Sequence, residues 1–170
     1  MSVKKNILNI KGKLSDDVHL IAVSKTRSIN EISEAYQAGQ RKFGENRVQE
    51  ILEKYNLLPN DIEWHMIGHL QKNKAKYISN FISLIHSLDR ISLAREIDKN
   101  AKKSKRVINC LIQLKISSEK SKYGLEISDF DNFYNDLKKY TNIKVVGLMG
   151  MASFTSNKEL INKEFSQIKL

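Results

Sequence analysis

The chain has 170 residues, of which 41% are hydrophobic and 28% charged, enough for one domain with a core and too few for two comfortable ones. Residues 1–13 alternate lysines with single apolar residues, unlike a secretory signal peptide, and no stretch is apolar for long enough to span a bilayer. We therefore expect a single cytoplasmic domain over residues 1–170.

The formal net charge of +10 is compatible with a protein that binds nucleic acid, a membrane surface or a small anion. Lysines are spread through every segment, and the densest basic run, KKSKR at 102–106, has no aromatic residues that could stack on bases. We therefore interpret the run as a solvated face and expect neither nucleic acid nor a membrane as a partner. A filter-binding titration at low salt would reveal a nucleic-acid binder, because phosphate contacts strengthen as salt falls.

Six runs rich in apolar and β-branched residues predict six strands. The strands are expected to start near His19, Arg41, Ile62, Leu84, Val107 and Ile143. The first five starts are 21 to 23 residues apart and the last interval is 36 residues, which leaves room for one helix after each strand. Cys110 lies in the fifth run, where we expect a buried and inert thiol.

Apolar residues at helical spacing predict helices between these strands. The helices fall within residues 29–39, 46–58, 91–103, 128–140 and 158–170. Gly39 is expected to end the first of them and Ser128 or Asp129 to cap the fourth, whereas the periodicity before His19 is too weak to assign. Strands that are apolar on both faces and alternate with helices indicate a parallel sheet buried on both sides. An open doubly wound sheet and a (β/α)8 barrel both accept this pattern.

Each predicted strand ends in residues that are polar or small. They are Lys25, then Glu45 and Asn46, Gly68 and His69, Ser87 and Asp89, Lys115 and Ser117, and finally Met149 and Gly150. In either fold the carboxyl ends of the strands open onto one face, so the sequence predicts one shared site there. No glycine-rich dinucleotide or P-loop motif follows any strand.

Lys25 closes the first apolar run. Alternation places it on the same side of the strand as Ile21 and Val23, so we expect a partly desolvated amine. Desolvation favours the neutral form, which attacks carbonyl groups, and Lys25 is therefore a candidate for a Schiff base with an aldehyde. The alternative is a lysine that extends from the strand end into solvent.

The other candidates also have structural alternatives. Asn46 could cap the helix that follows it. His65 and His69 have a spacing that binds zinc on a helix, but His65 is predicted in a strand and no other ligand completes a site, so no metal is expected. Gly68 predicts a turn through which backbone amides could approach a ligand, and Ser87 could bind a ligand or a nearby backbone group.

Six short strings occur in a characteristic order. They are AVSKT (22–26), FGENRVQE (43–50), IEWHMIGHLQKNK (62–74), IHSLD (85–89), SKYGL (121–125) and GLMGM (147–151). Together they resemble the pyridoxal phosphate homeostasis protein family, also called YggS or PROSC, from about residue 19 to the end of the chain. The resemblance implies a TIM-type (β/α)8 barrel of the alanine racemase N-terminal kind, with pyridoxal 5′-phosphate held as a Schiff base on Lys25. It also implies that Asn46, His69, Ser87 and Met149 lie near the cofactor.

The resemblance further implies a non-catalytic protein of cofactor homeostasis that stores, buffers and delivers pyridoxal phosphate, with pyridoxal-phosphate-dependent apoenzymes as possible recipients. The alternative is a weak pyridoxal-phosphate-dependent racemase. A racemase needs acid and base groups on both faces of the substrate carbon. Apart from Lys25, the sequence offers no tyrosine at a strand end that could be the second acid or base. Tyr123, in a loop, is the one tyrosine that is a candidate for this second role.

The family pattern continues beyond a helix like residues 158–170 into two further βα units with a phosphate-binding loop. The present chain ends at Leu170, so we expect a barrel truncated to about six βα units, with two exposed sheet edges. Losing several charge-assisted bonds to the phosphate, each worth roughly 1.5–3 kcal/mol, would weaken cofactor retention by orders of magnitude. A monomer is expected if the barrel is complete.

Overall fold

The computed structural model describes residues 2–119 and 122–169. Ser121 of the SKYGL string and Leu170, the last residue of the predicted final helix, lie outside the described residues. The elements are α1 (Val3–Lys11), β1 (Ala22–Val23), α2 (Ile29–Gln37), β2 (Lys42–Glu45), α3 (Val48–Tyr55), β3 (Glu63–Met66), α4 (Ala75–Ile78), β4 (Leu84–Leu88), α5 (Ile91–Lys103), β5 (Ile108–Leu114), α6 (Phe130–Leu137), β6 (Ile143–Gly150) and α7 (Lys158–Ser166). Among the described residues, no helix has both the length and the apolar character needed to cross a bilayer.

All six predicted strands are present and form one parallel sheet in the order β1-β2-β3-β4-β5-β6. This sequential order is that of a barrel, because a doubly wound sheet reverses its order at a switch point. The order therefore selects the barrel from the two architectures that the sequence allowed. Within the described residues, β1 pairs only with β2 and β6 only with β5, so the sheet is open and has two edges.

The core lies between the sheet and its helices. Phe43 of β2 faces a cavity lined by Ile7 of α1 and by Ile32 and Ala35 of α2, so its side of the sheet is the helix side. Trp64 pairs with Phe43 and is buried on the same side. Alternation then assigns the next residue of each strand to the opposite, inner face.

The inner face is less buried than predicted. Val23 of β1 is 53% exposed and Val146 of β6 is 46% exposed, while Asn109 and Lys144 are also exposed. The prediction that the strands are buried on both sides is therefore wrong for the edges of this face. The physical reason is that no strand joins β1 to β6 among the described residues, so side chains that point inward meet solvent.

The helix ends follow the sequence in part. Gly39 has φ +82°, a left-handed conformation that glycine adopts readily, and it follows α2 as predicted. Asp129 occupies the N-cap position of α6 as predicted, but its side chain makes no capping bond, because it also ends a 3₁₀ turn that precedes the helix. Helix α1 begins after Ser2, whose hydroxyl accepts a hydrogen bond from the Lys5 amide.

Candidate functional site

The five predicted site residues lie at one rim of the sheet. Lys25, Asn46 and His69 follow β1, β2 and β3, while Ser87 and Met149 are the penultimate residues of β4 and β6. Because all the strands are parallel and in sequence order, their carboxyl ends share this rim. The strands thus place the five residues along one rim, and a shared site formed by them stays a prediction.

Lys25 lies in the turn after β1 and is exposed. Val23, two residues earlier, pairs with Gly44 and faces the open inner side, and β1 ends there, before Lys25. The expected desolvation is wrong, because β1 is an edge strand and solvent reaches both Val23 and Lys25. Within residues 2–119 and 122–169, Lys25 Nζ makes no hydrogen bond or ion pair.

Asn46 and His69 line a common cavity of about 430 Å³ together with Tyr123. The His69 and Tyr123 rings are stacked, with centroids 4.2 Å apart and planes inclined by 26°. Gln113 of β5 fixes the Tyr123 backbone by donating a hydrogen bond from Nε2 to the carbonyl oxygen at 2.9 Å. Lys25, Ser87 and Met149 are not among the residues that line this cavity.

Gly68 allows β2 and β3 to approach at the rim. A Cβ atom at Gly68 would lie 2.6 Å from the Asn46 carbonyl oxygen and 2.8 Å from its Cα, distances that real Cβ atoms do not show. The sequence predicted that the lack of a side chain at Gly68 lets a ligand approach the backbone. In the structure, the atoms closest to this position belong to the Asn46 backbone. Asn46 does not cap α3, since Arg47 occupies the cap position and makes no side-chain bond there.

Three buried side-chain atoms lack a hydrogen-bond partner within the described residues. They are Ser87 Oγ, His69 Nδ1 and Glu45 Oε2. Ser87 is fully buried, and His69 Nδ1 lies 3.6 Å from Asp89 Oδ2, beyond hydrogen-bonding distance. Since buried polar atoms in proteins are almost always paired, their concentration at this rim is what a binding site would produce.

A buried ionic cluster lies beneath the Lys25 turn. Lys54 Nζ of α3 contacts Glu45 Oε1 at 2.6 Å and Glu50 Oε2 at 3.2 Å. Burial raises the pKa of Glu45, and the hydrogen bonds from Lys54 and Ser24 oppose that rise. The hydrogen bond from the Thr26 amide lowers the pKa of Glu50. We define these three residues, Glu45, Glu50 and Lys54, as the ionic cluster.

The histidine pair His65 and His86 lies on the inner face of β3 and β4. His65 Nδ1 and His86 Nε2 are 2.9 Å apart, and burial lowers the pKa of each imidazole to about 4. His65 therefore belongs to this pair and not to a set with His69. Across residues 2–119 and 122–169, no group of three or more His, Cys, Asp or Glu side chains could hold a metal ion. Cys110 is buried as predicted, which raises its pKa to about 12.

Sequence reasoning gave little weight to Tyr123 and missed the ionic cluster. Tyr123 is distant from His69 in the chain, and only the fold shows that the two rings stack. The cluster did carry a signal, because Glu50 and Lys54 are four residues apart on one helix face and Glu45 follows Phe43 and Gly44 near the end of a predicted strand.

Comparison with known proteins agrees with this fold. The model of the family "Alanine racemase, N-terminal domain" matches residues 1–170. The pyridoxal phosphate homeostasis protein of Aquifex aeolicus is 39% identical over 159 residues, which cover 93% of this chain and 70% of that protein. The Escherichia coli K12 protein of the same name is 35% identical over 144 residues, covering 82% of this chain. The present chain thus spans 62–70% of the length of these two relatives.

Solved structures give the same result. PipY of Synechococcus elongatus without pyridoxal phosphate superposes with a TM-score of 0.93 at 33% identity, covering 98% of this chain and 79% of PipY. The same protein with pyridoxal phosphate bound has a TM-score of 0.88 at 32% identity, with 98% and 78% coverage. An alanine racemase of Clostridium difficile has a TM-score of 0.81 at 15% identity, covering 98% of this chain and 44% of the racemase, and shares the fold.

These matches confirm the alanine-racemase-like barrel fold that the sequence predicted, here with six strands in the described residues. The chain therefore belongs to the alanine racemase N-terminal domain family and, within it, to the pyridoxal phosphate homeostasis proteins.

Proposed function

We propose that this protein binds pyridoxal 5′-phosphate covalently through Lys25 and acts in homeostasis of the cofactor by storing, buffering and delivering it. The observation that carries the proposal is an exposed primary amine, Lys25 Nζ, which has no partner among residues 2–119 and 122–169 and lies on the same rim as a cavity lined by Asn46 and His69. The whole of residues 1–170 serves as one cofactor-binding domain, located in the cytoplasm. Recipient apoenzymes complete the proposed role, which involves neither nucleic acid nor a membrane.

The residues present fit this cofactor. Pyridoxal phosphate supplies an aldehyde, which condenses with a primary amine, and an aromatic ring, which a flat side chain can cover. Lys25 provides the amine, and the His69 imidazole, held by stacking on Tyr123, provides a flat surface in the cavity. His69 Nδ1 and Ser87 Oγ, which have no partner in the part of the chain that the structure describes, lie at the same rim, where Asn46 and Met149 complete the proposed set.

The first prediction concerns Lys25→Ala. Mixing the wild-type protein with pyridoxal phosphate should give a visible absorbance band, and borohydride reduction followed by peptide mass mapping should place the adduct on Lys25. The variant should lose both the band and the adduct, because no other amine occupies this turn. Lys115→Ala is a matched control, since Lys115 follows β5 at the same rim and is paired with Glu126. Wild-type adducts scattered over many lysines would contradict the proposal.

A non-catalytic role follows from the chemistry that the rim offers. Racemisation requires a second acid–base group on the far side of the substrate carbon from the first. In this proposal Lys25 is the proton-transfer group at the rim. With a single such group, the cofactor would be held and exchanged without turnover of an amino acid.

A weak racemase is the second candidate, and the position of Tyr123 favours it. Its phenol-bearing side chain is 56% exposed and lies against His69, so a second proton donor is present at the rim. Incubating the cofactor-loaded protein with single-enantiomer amino acids in deuterated water separates the candidates. Exchange of the α-proton that disappears in Tyr123→Phe would support the enzyme, and no exchange would support the carrier.

A further inference from the structure

The turn that carries Lys25 is bound on both sides by the ionic cluster. On the N-terminal side, Ser24 Oγ donates to Glu45 Oε1 at 2.7 Å and the Ser24 carbonyl accepts from Lys54 Nζ at 2.8 Å. On the C-terminal side, the Thr26 amide donates to Glu50 Oε2 at 2.9 Å. The residues immediately before and after Lys25 are therefore attached to β2 and α3.

One ammonium group joins these attachments. Lys54 Nζ contacts Glu45, Glu50 and the Ser24 carbonyl, so displacement of either carboxylate disturbs both sides of the turn. The Lys54 side chain is 8% exposed and the Glu45 side chain is fully buried. Burial weakens screening by solvent, and the contacts are consequently stiffer than a surface ion pair of the same length.

The backbone of the turn needs such support. Thr26 has φ +62°, a left-handed conformation that is unfavourable for a β-branched residue. Strained backbone persists where surrounding contacts hold it, and it is common next to functional groups. The Glu50 carboxylate provides the acceptor for the Thr26 amide in this conformation.

We propose that Glu50, through its hydrogen bond to the Thr26 amide, is a positioning residue that sets the direction in which Lys25 leaves the turn. Lys54 and Glu45 support it by fixing Ser24. This inference rests on the proposed function of Lys25 and assigns a role to residues that do not contact the ligand themselves. A preorganised amine loses less freedom on forming its covalent bond, so adduct formation at Lys25 is faster than at an ordinary surface lysine.

Three substitutions of Glu50 distinguish the effect of its side-chain length from the effect of its negative charge. Glu50→Gln keeps the length of the side chain and an oxygen that can accept from the Thr26 amide, but removes the charge. Glu50→Asp keeps the charge but shortens the side chain by one methylene, and Glu50→Ala removes both. The rate of pyridoxal phosphate addition to Lys25 should fall about tenfold in Glu50→Ala and Glu50→Asp and stay within about threefold of wild type in Glu50→Gln, as loss of one hydrogen bond predicts.

The readout is specific to positioning. Borohydride reduction at timed intervals and peptide mapping give both the rate at Lys25 and the share of adduct on other lysines, and circular dichroism of the visible band reports the orientation of the bound chromophore. In Glu50→Ala and Glu50→Asp the share on other lysines should rise and the visible dichroism should weaken. A purely structural role would change the melting temperature without changing the selectivity of the folded protein.

Glu31→Ala is the matched control. Glu31 Oε2 accepts from the Ser28 amide at 2.9 Å, the same kind of bond in the same loop, but it does not touch Ser24 or Thr26. A rate loss in Glu31→Ala equal to that in Glu50→Ala would mean general loosening of the loop and would overturn the inference. A rate that follows charge, with Glu50→Asp normal and Glu50→Gln slow, would also overturn it. If wild-type protein forms no Lys25 adduct, the proposed function itself fails, whereas a normal adduct rate in Glu50→Ala refutes only the positioning role.

Discussion

Lys54→Met should lower the free energy of unfolding by about 3–5 kcal/mol, because it leaves the buried Glu45 carboxylate without its cation. Glu45 is fully buried and its second oxygen already lacks a partner within the described residues. Methionine has nearly the volume of lysine, so the change removes the charge and the hydrogen bonds while it leaves little empty space. Chemical denaturation at pH 7, analysed as a two-state transition, measures the effect.

The double variant Glu45→Gln/Lys54→Met is the control. Removing both charges should recover a large part of the loss, since breaking a buried pair costs more than replacing it. The deficit of Lys54→Met should also shrink as the pH is lowered, because burial raises the pKa of Glu45 and the unpaired carboxyl can then bind a proton. A loss below about 1 kcal/mol, the range of a surface ion pair, would show that the cluster is solvated.

Acidification from pH 6.5 to pH 4 should destabilise the protein through the histidine pair. Burial lowers the pKa of His65 and of His86 from 6.5 to about 4, so the native state favours neutral imidazoles while the unfolded chain binds protons across this range. The free energy of unfolding therefore falls as the pH drops below 6.5 and levels off below about 4. For the buried His65 the total is on the order of 3 kcal/mol, since a tenfold difference in proton affinity is about 1.4 kcal/mol.

The carboxyl groups whose pKa is lowered act in a lower pH range than the histidine pair. Hydrogen bonds lower the pKa values of Glu31 and Glu50, and their stabilising contributions are lost only as the pH falls below the ordinary value of 4.5. The pKa of Glu45 is raised, so the native state binds a proton there at a higher pH than the unfolded chain does. Acidification through that range therefore stabilises the protein at Glu45 and opposes the effect of the histidines. His65→Gln keeps a polar partner for His86 but cannot take up a proton, so it should reduce the slope of the stability profile between pH 6.5 and 4.5, while the contribution of His86 remains. An unchanged slope in this variant would refute the assignment to His65.

The sequence predicted the parallel βα series because each run is continuous and apolar and because helix periodicity separates the runs. Local pattern alone could not decide between a barrel and a doubly wound sheet, since the two differ only in strand order, and the correct prediction of a barrel came from the family resemblance. Local pattern also missed α4, which has four residues and too few positions to show a period. Strand β1 is two residues long although its apolar run is longer.

For the site, the sequence indicated which residues lie at the rim. It did not indicate how exposed they are or which side chains they contact. Lys25 was expected to be desolvated, and its exposure depends on a neighbour beyond β1 that local pattern cannot show. The stacking of Tyr123 on His69 joins a loop after β5 to the end of β3, and this contact is set by strand order and not by spacing in the chain. The Gly68 contact with Asn46 is likewise a property of neighbouring strands.

Cys110 can serve as an internal reporter of unfolding. It is the single cysteine of the chain, it is buried in β5 beside β4 and β6, and burial raises its pKa to about 12. Alkylating reagents react with thiolates, so in the closed protein at neutral pH this side chain is doubly protected, by inaccessibility and by its proton. The rate at which Cys110 is alkylated therefore reports how often the protein opens far enough to expose β5. This makes cooperative unfolding measurable without any added label.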